Sequence, residues 1–440
     1  MSSAREAALE ALQRCRRSGA WSAAAMDAAI KKYGLDGRDS ALASRLFMGV
    51  LQNLDYCDYY VNYYHSGGAA NMEPKLRDIL RLGVCQLLFL DKIPARAAVN
   101  ESVALCKQGG LSRAAGLVNA VLRRVSENRE NLPEIPGKGT AQYLSTRYSH
   151  PLWLAERLIK ERGYDFTEGF FAANNRPAGL TIQVNTLKVT ESDYIRALER
   201  ADIPYRRFEA VPGCLELEGG SVLRLPGYEE GLFYVQDRAA RMAVQAADPK
   251  PGMKVLDACA APGGKSFAAA IAMENRGDIL SCDIHEKKLA LIDSGAKRLG
   301  VDIITTACRD ARTADETMNG AFDLVLCDVP CSGFGLLGKR PEIRRKQEAE
   351  IASLPAIQEA ILENASRFVR PGGTLLYSTC TVLRRENEDV VCRFLEKNGD
   401  FYPVDFAIGD VRSEDGMHTF WPHVNGTDGF FAAKLQRRDL

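Results

Sequence analysis

Histidine and tryptophan are scarce in this chain, at five and three residues in 440. No two of the twelve cysteines stand as a Cys-x-x-Cys pair, so with so few imidazoles the usual ligand sets of zinc are missing. No metal site is expected. Also missing is an apolar run of bilayer-spanning length, and the opening Met1-Ser-Ser-Ala-Arg-Glu6 lacks the apolar core of a secretion signal. A cytoplasmic protein with reduced thiols is the expectation, its cysteines mostly small core residues rather than disulfides. A charge excess is absent too, with 57 basic against 57 acidic residues, which argues weakly against a nucleic-acid partner. The balance is uneven, however: residues 1–135 hold 18 Lys/Arg against 14 Asp/Glu, a net +4. Such a face can meet phosphates, but charge alone decides nothing.

What is present is length enough for two or three domains, with 46% hydrophobic and 26% charged residues typical of globular chains. Residues 1–135 read as a helical bundle. Apolar residues recur at helical spacing over Ala4–Cys15, Asp39–Val61, Leu76–Leu90, Ala97–Lys107 and Ala114–Ser126, with glycine punctuation between them. A linker rich in proline and glycine follows at Glu130–Gly139. Residues 140–235 mix helices (Pro151–Glu161, Ser192–Ala201) with strand-like runs (Leu180–Val184, Val222–Leu225), a small α+β region. Residues 236–440 alternate. Strand-type runs at Lys254–Ala258, Asp278–Cys282, Ile303–Ala307, Phe322–Cys327 and Gly373–Ser378 are set among helices at Ser266–Glu274, Glu286–Leu299, Ala352–Phe368 and Glu386–Lys397. This order specifies a mainly parallel sheet covered by helices, which binds ligands beyond the carboxyl ends of its strands.

The residues with chemical potential fall at those ends. In Val255-Leu-Asp-Ala-Cys-Ala-Ala-Pro-Gly-Gly-Lys-Ser266 a strand runs through a small-residue turn into a helix. Small side chains admit a ligand close to the backbone, and the helix start offers free N–H groups. A P-loop would need glycine where Cys259 stands, and the dinucleotide pattern G-x-G-x-x-G is absent. A nucleoside site without polyphosphate remains, which suits S-adenosylmethionine. Asp283 follows about 20 residues later at a strand end, where a carboxylate accepts from ribose hydroxyls. Asp310 stands at the next strand end, within reach of an adenine amino group. Either aspartate alone reads equally well as a helix cap or a turn residue.

Two further strand ends carry Asp328-Val-Pro-Cys-Ser-Gly333 and Ser378-Thr-Cys-Thr381, whereas Cys327 falls mid-strand as a core thiol would. A cysteine at the mouth of a sheet is accessible to substrate. Cytosine carbon 5 is a poor nucleophile until a thiolate adds to carbon 6, so Cys331 and Cys380 suit covalent catalysis, with Asp328 as an acid near nitrogen 3. The residues themselves leave open which cysteine attacks.

These segments, with Asp257–Lys265, Glu386-Asn-Glu388 and Gly426-Thr-Asp-Gly-Phe-Phe431, resemble the RNA 5-methylcytosine methyltransferases. Ile93-Pro-Ala-Arg-Ala-Ala-Val-Asn-Glu-Ser102 and Ala115–Arg124 are similar to the NusB-like RNA-binding domain of a subfamily, and Ser149–Trp153 and Val184-Asn-Thr186 to its middle region. The resemblance spans nearly the whole chain. It implies a NusB-like helical domain, an RRM-like middle region and a Rossmann-like catalytic domain. It further implies that Cys259, Ala260, Ala261, Pro262, Gly263, Gly264, Lys265, Asp283, Asp310 and Asp328 bind S-adenosylmethionine. Cys380 is then the nucleophile and Cys331 the releasing group. The implied substrate is 16S ribosomal RNA, free or early in assembly, acted on by a monomer. Transfer RNA is the alternative, and a non-catalytic RNA-binding or assembly factor the reading from another class. Val329 stands where the family has alanine, and Gly338–Arg345, expected to contact RNA, departs from the family pattern. His285 reads as a helix-start residue, and His418, Trp421 and His423 as packing rather than substrate contacts. Arg16, Arg17, Arg123 and Arg124 are candidates for phosphate contacts that solvated surface explains equally well.

Overall fold

The computed structural model describes residues 3–18, 21–65, 67–177, 179–218 and 222–439. Packing divides the chain into two units: Met1–Arg176 with Leu337–Glu348, and Pro177–Leu336 with Ala349–Leu440. No helix among the described residues is long and apolar enough to cross a membrane.

The first unit is helical. Its bundle comprises Ser3–Ser18, Ser22–Tyr33, Gly37–Gln52, Leu54–Tyr64, Pro74–Phe89, Ala95–Gln108 and Ala115–Glu127. They enclose a core that includes Leu46, Phe47, Ile79, Leu80, Val118 and Leu122. The single helix expected over Asp39–Val61 is two. Asn53 interrupts it, turning its side-chain amide back onto the Gly49 carbonyl (3.0 Å), the local competition that makes asparagine a helix terminator. The second helix is then capped from afar, where Ser149 Oγ accepts the N–H groups of Asp55 and Tyr56 (3.1 Å each). Helix Ser22–Tyr33 was not expected, because little beyond alanines and Met26 marks its buried face.

Three more helices, Ala141–Tyr148, Leu152–Arg162 and Tyr164–Asn174, pack in this same unit rather than with the α+β region that follows them in sequence. So does Leu337–Glu348, a strap of chain that leaves the catalytic sequence and returns to it. Within it the Arg344 side chain is buried, Arg345 pairs with Asp55 (2.8 Å), and Arg157 pairs with Glu348. The RNA contact expected of Gly338–Arg345 is therefore corrected for Arg344, whose guanidinium group is buried inside the helical unit, whereas Arg345 is exposed.

The second unit begins with an antiparallel sheet of β1 (Leu180–Val184), β2 (Tyr205–Arg207), β3 (Cys214–Leu217) and β4 (Phe233–Val235), in the order β2-β3-β1-β4. Helix Glu191–Arg200, capped by Thr190 Oγ1 on the Asp193 N–H, packs Tyr194 and Leu198 against it. The strand expected at Val222–Leu225 is instead a short 3-10 turn over Val222–Arg224. Its run of four residues is too brief to separate the two conformations by periodicity.

The main sheet holds β5 (Lys254–Asp257), β6 (Asp278–Asp283), β7 (Ile304–Cys308), β8 (Phe322–Asp328) and β9 (Val369–Thr379). Its spatial order is β7-β6-β5-β8-β9, all parallel, as the alternation of elements requires. Three further strands were not legible: β10 (Phe401–Pro403), β13 (Met417–Phe420) and β14 (Phe430–Arg437) add antiparallel beyond β9. The residues Phe430-Phe-Ala-Ala433 are buried on both faces, so β14 lacks the alternation that marks a half-exposed strand. The small pair β11 (Ala407–Ile408) and β12 (Val411–Arg412) lies between. Strand order reverses at β5, flanked by β6 and β8, and a crevice opens there at the carboxyl ends.

Candidate active site

Register sets the geometry. Asp257 pairs with Ser281 of β6 and Leu326 of β8, and Asp328 with Ser378 of β9. The loops after these strands meet over one cleft of about 480 Å³. Its wall includes Cys259, Ala261, Asp283, Asp310, Asp328, Cys331 and Cys380, which the sequence singled out. His285 and Val329 line it as well, and Ile284, Lys288, Arg309, Arg312, Ile357 and Ile361 do so without having been foreseen. Ala260, Pro262, Gly263, Gly264 and Lys265 are not in the wall. They shape the turn behind it: the Ala260 N–H donates to the Cys282 carbonyl (2.7 Å), and Gly263 takes φ 109° to start helix Gly264–Ala272. A Cβ on Gly263 would meet the Phe267 ring at 2.5 Å, so only glycine makes this turn.

Under the turn, Asp257 is buried and accepts from Ser266 Oγ (2.7 Å), which in turn accepts from Ser281 Oγ (2.8 Å). Burial pushes its carboxyl up to about 6, against the pull of the Ser266 hydrogen bond and of Lys265. Lys265 reaches across the crevice to Asp328 (2.6 Å), whose other oxygen accepts from Ser378 Oγ (2.8 Å). Asp328 thus enters the site as the anionic half of an ion pair, an arrangement the sequence did not foretell.

The two sulfurs, Cys331 Sγ and Cys380 Sγ, lie 3.2 Å apart. Their loops are joined by buried bonds. Glu386 accepts the Ser332 N–H (2.8 Å) and the Gln358 side-chain amide (3.0 Å), and Gln358 also holds the Pro330 carbonyl (3.0 Å). Ser332 Oγ meets Thr381 Oγ1 (2.9 Å), while Asn387 accepts from Thr379 Oγ1 (2.6 Å) and donates to the Thr381 carbonyl (3.0 Å). Gln358 was missed, although an amide on the buried face of a helix was the available signal. The hydrogen bond to Cys380 and burial hold the Cys331 thiol well above its ordinary range.

Asp283 accepts the His285 N–H (2.9 Å), and His285 precedes helix Glu286–Leu299 as its cap, as expected. Asp310 is clasped by the Arg312 side chain (2.6 and 2.9 Å). Outside the cleft, Trp421 is buried and His418 packs edge-on to Phe420, which agrees with a packing role. Arg16 pairs with Asp78 (3.2 Å).

A family model described as 16S rRNA methyltransferase RsmB/F matches residues 244–436, the NusB family matches 2–127, and an RsmF/B-like ferredoxin-like domain matches 150–223. The chain is 34% identical to a probable ribosomal RNA small subunit methyltransferase B of Bacillus subtilis, with 99% of each chain covered. The chain belongs to the RsmB/F family of 16S rRNA methyltransferases. Other RsmB relatives include that of Erwinia tasmaniensis, 30% identical over 94% of both chains. Among solved structures, that of PH0851 superposes with a TM-score of 0.83 at 30% identity over 99% of each chain. A methyltransferase homologue from Pyrococcus horikoshii gives 0.60 at 28% identity over 68% of this chain and 98% of its own. An RsmB/F-type enzyme uses S-adenosylmethionine, and the cleft fits it. Ile284, Ile357 and Ile361 offer apolar walls for a purine, and carboxylates stand at the ends of β6 and β7 for hydroxyl and amino donors.

Proposed function

We propose that this chain methylates carbon 5 of a cytosine in 16S ribosomal RNA through a covalent bond from Cys380 to carbon 6. The observation that carries the reading is the pair of thiols 3.2 Å apart, in the wall of one cleft with Asp283, Asp310 and Asp328. A ring clamped there meets a nucleophile and a second sulfur together. The two sulfurs lie within one hydrogen bond of each other, and a proton kept on Cys331 leaves Cys380 as the sulfur that carries negative charge. We assign Asp283 to the ribose hydroxyls, Asp310 to the adenine amino group, and the Cys259–Lys265 turn to the backbone contacts of the cofactor.

S-adenosylmethionine, when bound, supplies an electrophilic methyl group. The Cys380 thiolate adds to carbon 6, a carbon–sulfur bond forms, and the double-bond electron pair moves onto carbon 5. The Lys265–Asp328 pair presents a shared proton to nitrogen 3 as charge gathers on the ring. After methylation, loss of the carbon 5 proton restores the double bond and expels Cys380. Cys331, once its own proton has passed to solvent, is assigned to take up that proton as a thiolate. The target base must leave its stack to reach these sulfurs, so RNA that is free or early in assembly is the expected substrate, acted on in the cytoplasm by a monomer.

Incubation with 16S RNA and S-adenosylmethionine tests this. Cys331→Ala accumulates a denaturation-resistant protein–RNA adduct, and Cys380→Ala forms none. An adduct that survives Cys380→Ala overturns the assignment, and bisulfite sequencing that finds the mark in transfer RNA overturns the substrate.

A further inference from the structure

Cys331 Sγ and Cys380 Sγ stand 3.2 Å apart, and a disulfide needs about 2.05 Å, so a closure of about 1.2 Å would join them. The backbone on either side is already drawn together. β8 and β9 pair as far as Asp328 with Ser378, and the Val329 N–H donates to the Ser378 carbonyl (3.1 Å). Further on, the Gly335 N–H donates to the Cys380 carbonyl (3.0 Å). Between those bonds the hydroxyls of Ser332 and Thr381, each next in sequence to one cysteine, meet at 2.9 Å. The two loops thus run side by side at the sulfurs, and all of these bonds lie in the second unit. Both cysteines are free thiols and both line the cleft of about 480 Å³, where a small solute can reach them.

We propose that Cys331 and Cys380 form a reversible oxidation site for hydroperoxides, and that the disulfide made there switches methyl transfer off. The step begins at Cys380, the sulfur that the proposed function makes the thiolate. It attacks one peroxide oxygen: a sulfur–oxygen bond forms, the oxygen–oxygen bond breaks, and hydroxide leaves to take a proton from solvent. Cys331 Sγ then attacks Cys380 Sγ. The sulfur–sulfur bond forms, the sulfur–oxygen bond breaks, and the Cys331 proton departs with that oxygen as water. In total, two thiols and one hydrogen peroxide give one disulfide and two waters. The thiols lose two electrons and the peroxide gains them.

A disulfide sulfur carries no thiolate charge and does not add to carbon 6, so the reaction stops until a dithiol reduces the bond. The same bond spares Cys380 the sulfinic acid, a state from which a thiol does not ordinarily return. The coupling stands on the geometry alone, whereas the order of attack and the loss of activity rest on the proposed function.

The full-length chain, treated with hydrogen peroxide, then denatured, alkylated and mapped by mass spectrometry, tests the site. It should lose two of its twelve alkylatable thiols and yield one peptide pair that joins Cys331 to Cys380. Methyl transfer to 16S RNA should fall in step to below about a tenth, and dithiothreitol should restore both. In Cys331→Ser the sulfenic acid meets no thiol. Cys380 should then go on to the sulfinic acid, heavier by about 32 Da and not recovered by dithiothreitol, a readout that needs no methyl transfer. Three results overturn the inference: oxidation of the exposed Cys308 or Cys392 ahead of the pair, a Cys331–Cys380 bond that leaves methyl transfer intact, or a loss that dithiothreitol does not reverse. A wild-type chain that forms the bond but methylates no RNA sinks the proposed function instead, and leaves the oxidation site standing.

Discussion

At the thiol end of the cleft, Ser332, Gln358, Thr379, Thr381, Glu386 and Asn387 are buried and bonded to one another. At the cofactor end, Asp310 is held by Arg312, two residues away and half exposed, and Asp283 by the N–H of His285. The first network joins β8, β9 and the helix Leu354–Ser366, whereas the second closes on itself within a loop. Long-range buried bonds hold reacting groups at fixed separation, which is where precision raises rate. The local Asp310–Arg312 pair at the accessible edge exchanges readily, which suits a cofactor that must enter and leave each cycle, while Asp283 is buried.

The contrast can be broken at Glu386. Glu386→Ala strands the Ser332 N–H and the Gln358 amide, each a cost of about 1–3 kcal/mol in stability. Its kcat should fall by about two orders of magnitude while calorimetric affinity for S-adenosylmethionine holds. A variant within about threefold of wild type in kcat would show that the network does not position the thiols.

Asp257, buried beneath the turn, gives the next largest effect. Its carboxyl is raised from 3.8 to about 6 on folding, so the folded state favours the proton. The stabilisation is complete below about pH 4 and disappears as pH rises through 6, a change of about 3 kcal/mol by linkage. Asp257→Asn should remove this dependence, its Tm gaining on wild type from pH 4 to 7. Parallel curves would place the proton elsewhere.

Smaller effects sharpen the rim. Asp283→Ala should raise the Kd for S-adenosylmethionine about 10- to 100-fold and lower Tm by a few degrees, because the bond from the His285 N–H is lost along with those to the ligand. Arg312→Ala, which frees the half-buried Asp310 from an exposed partner, should change that Kd by less than about threefold and leave Tm unmoved. A large loss of affinity there would mean that the rim is as rigid as the thiol end.

Much of this site was legible. The strand ends were marked by short apolar runs that stop at Asp257, Asp283 and Asp328, and glycine at 263 signalled the turn. The helix break at Asn53, the 3-10 turn at Val222–Arg224 and the strand Phe430–Arg437 were not. Each depends on neighbours distant in sequence or on a segment too short or too uniformly buried to show a period. Lys265 illustrates the same limit within the site. It was picked out with the cofactor turn, yet its partner is Asp328, 63 residues away, and no local pattern announces that pairing.

The sequence alone determined the layered α/β catalytic domain, the loops that face the cleft, and the chemistry of two cysteines beside aspartates. Period and loop composition act locally, so they survive in one dimension. Tertiary structure alone decided that the sulfurs stand 3.2 Å apart, that Glu386 ties their loops, and that Leu337–Glu348 belongs to the helical unit. Those facts depend on strand register and on which carbonyls a buried guanidinium can reach. Only the folded chain brings such groups together.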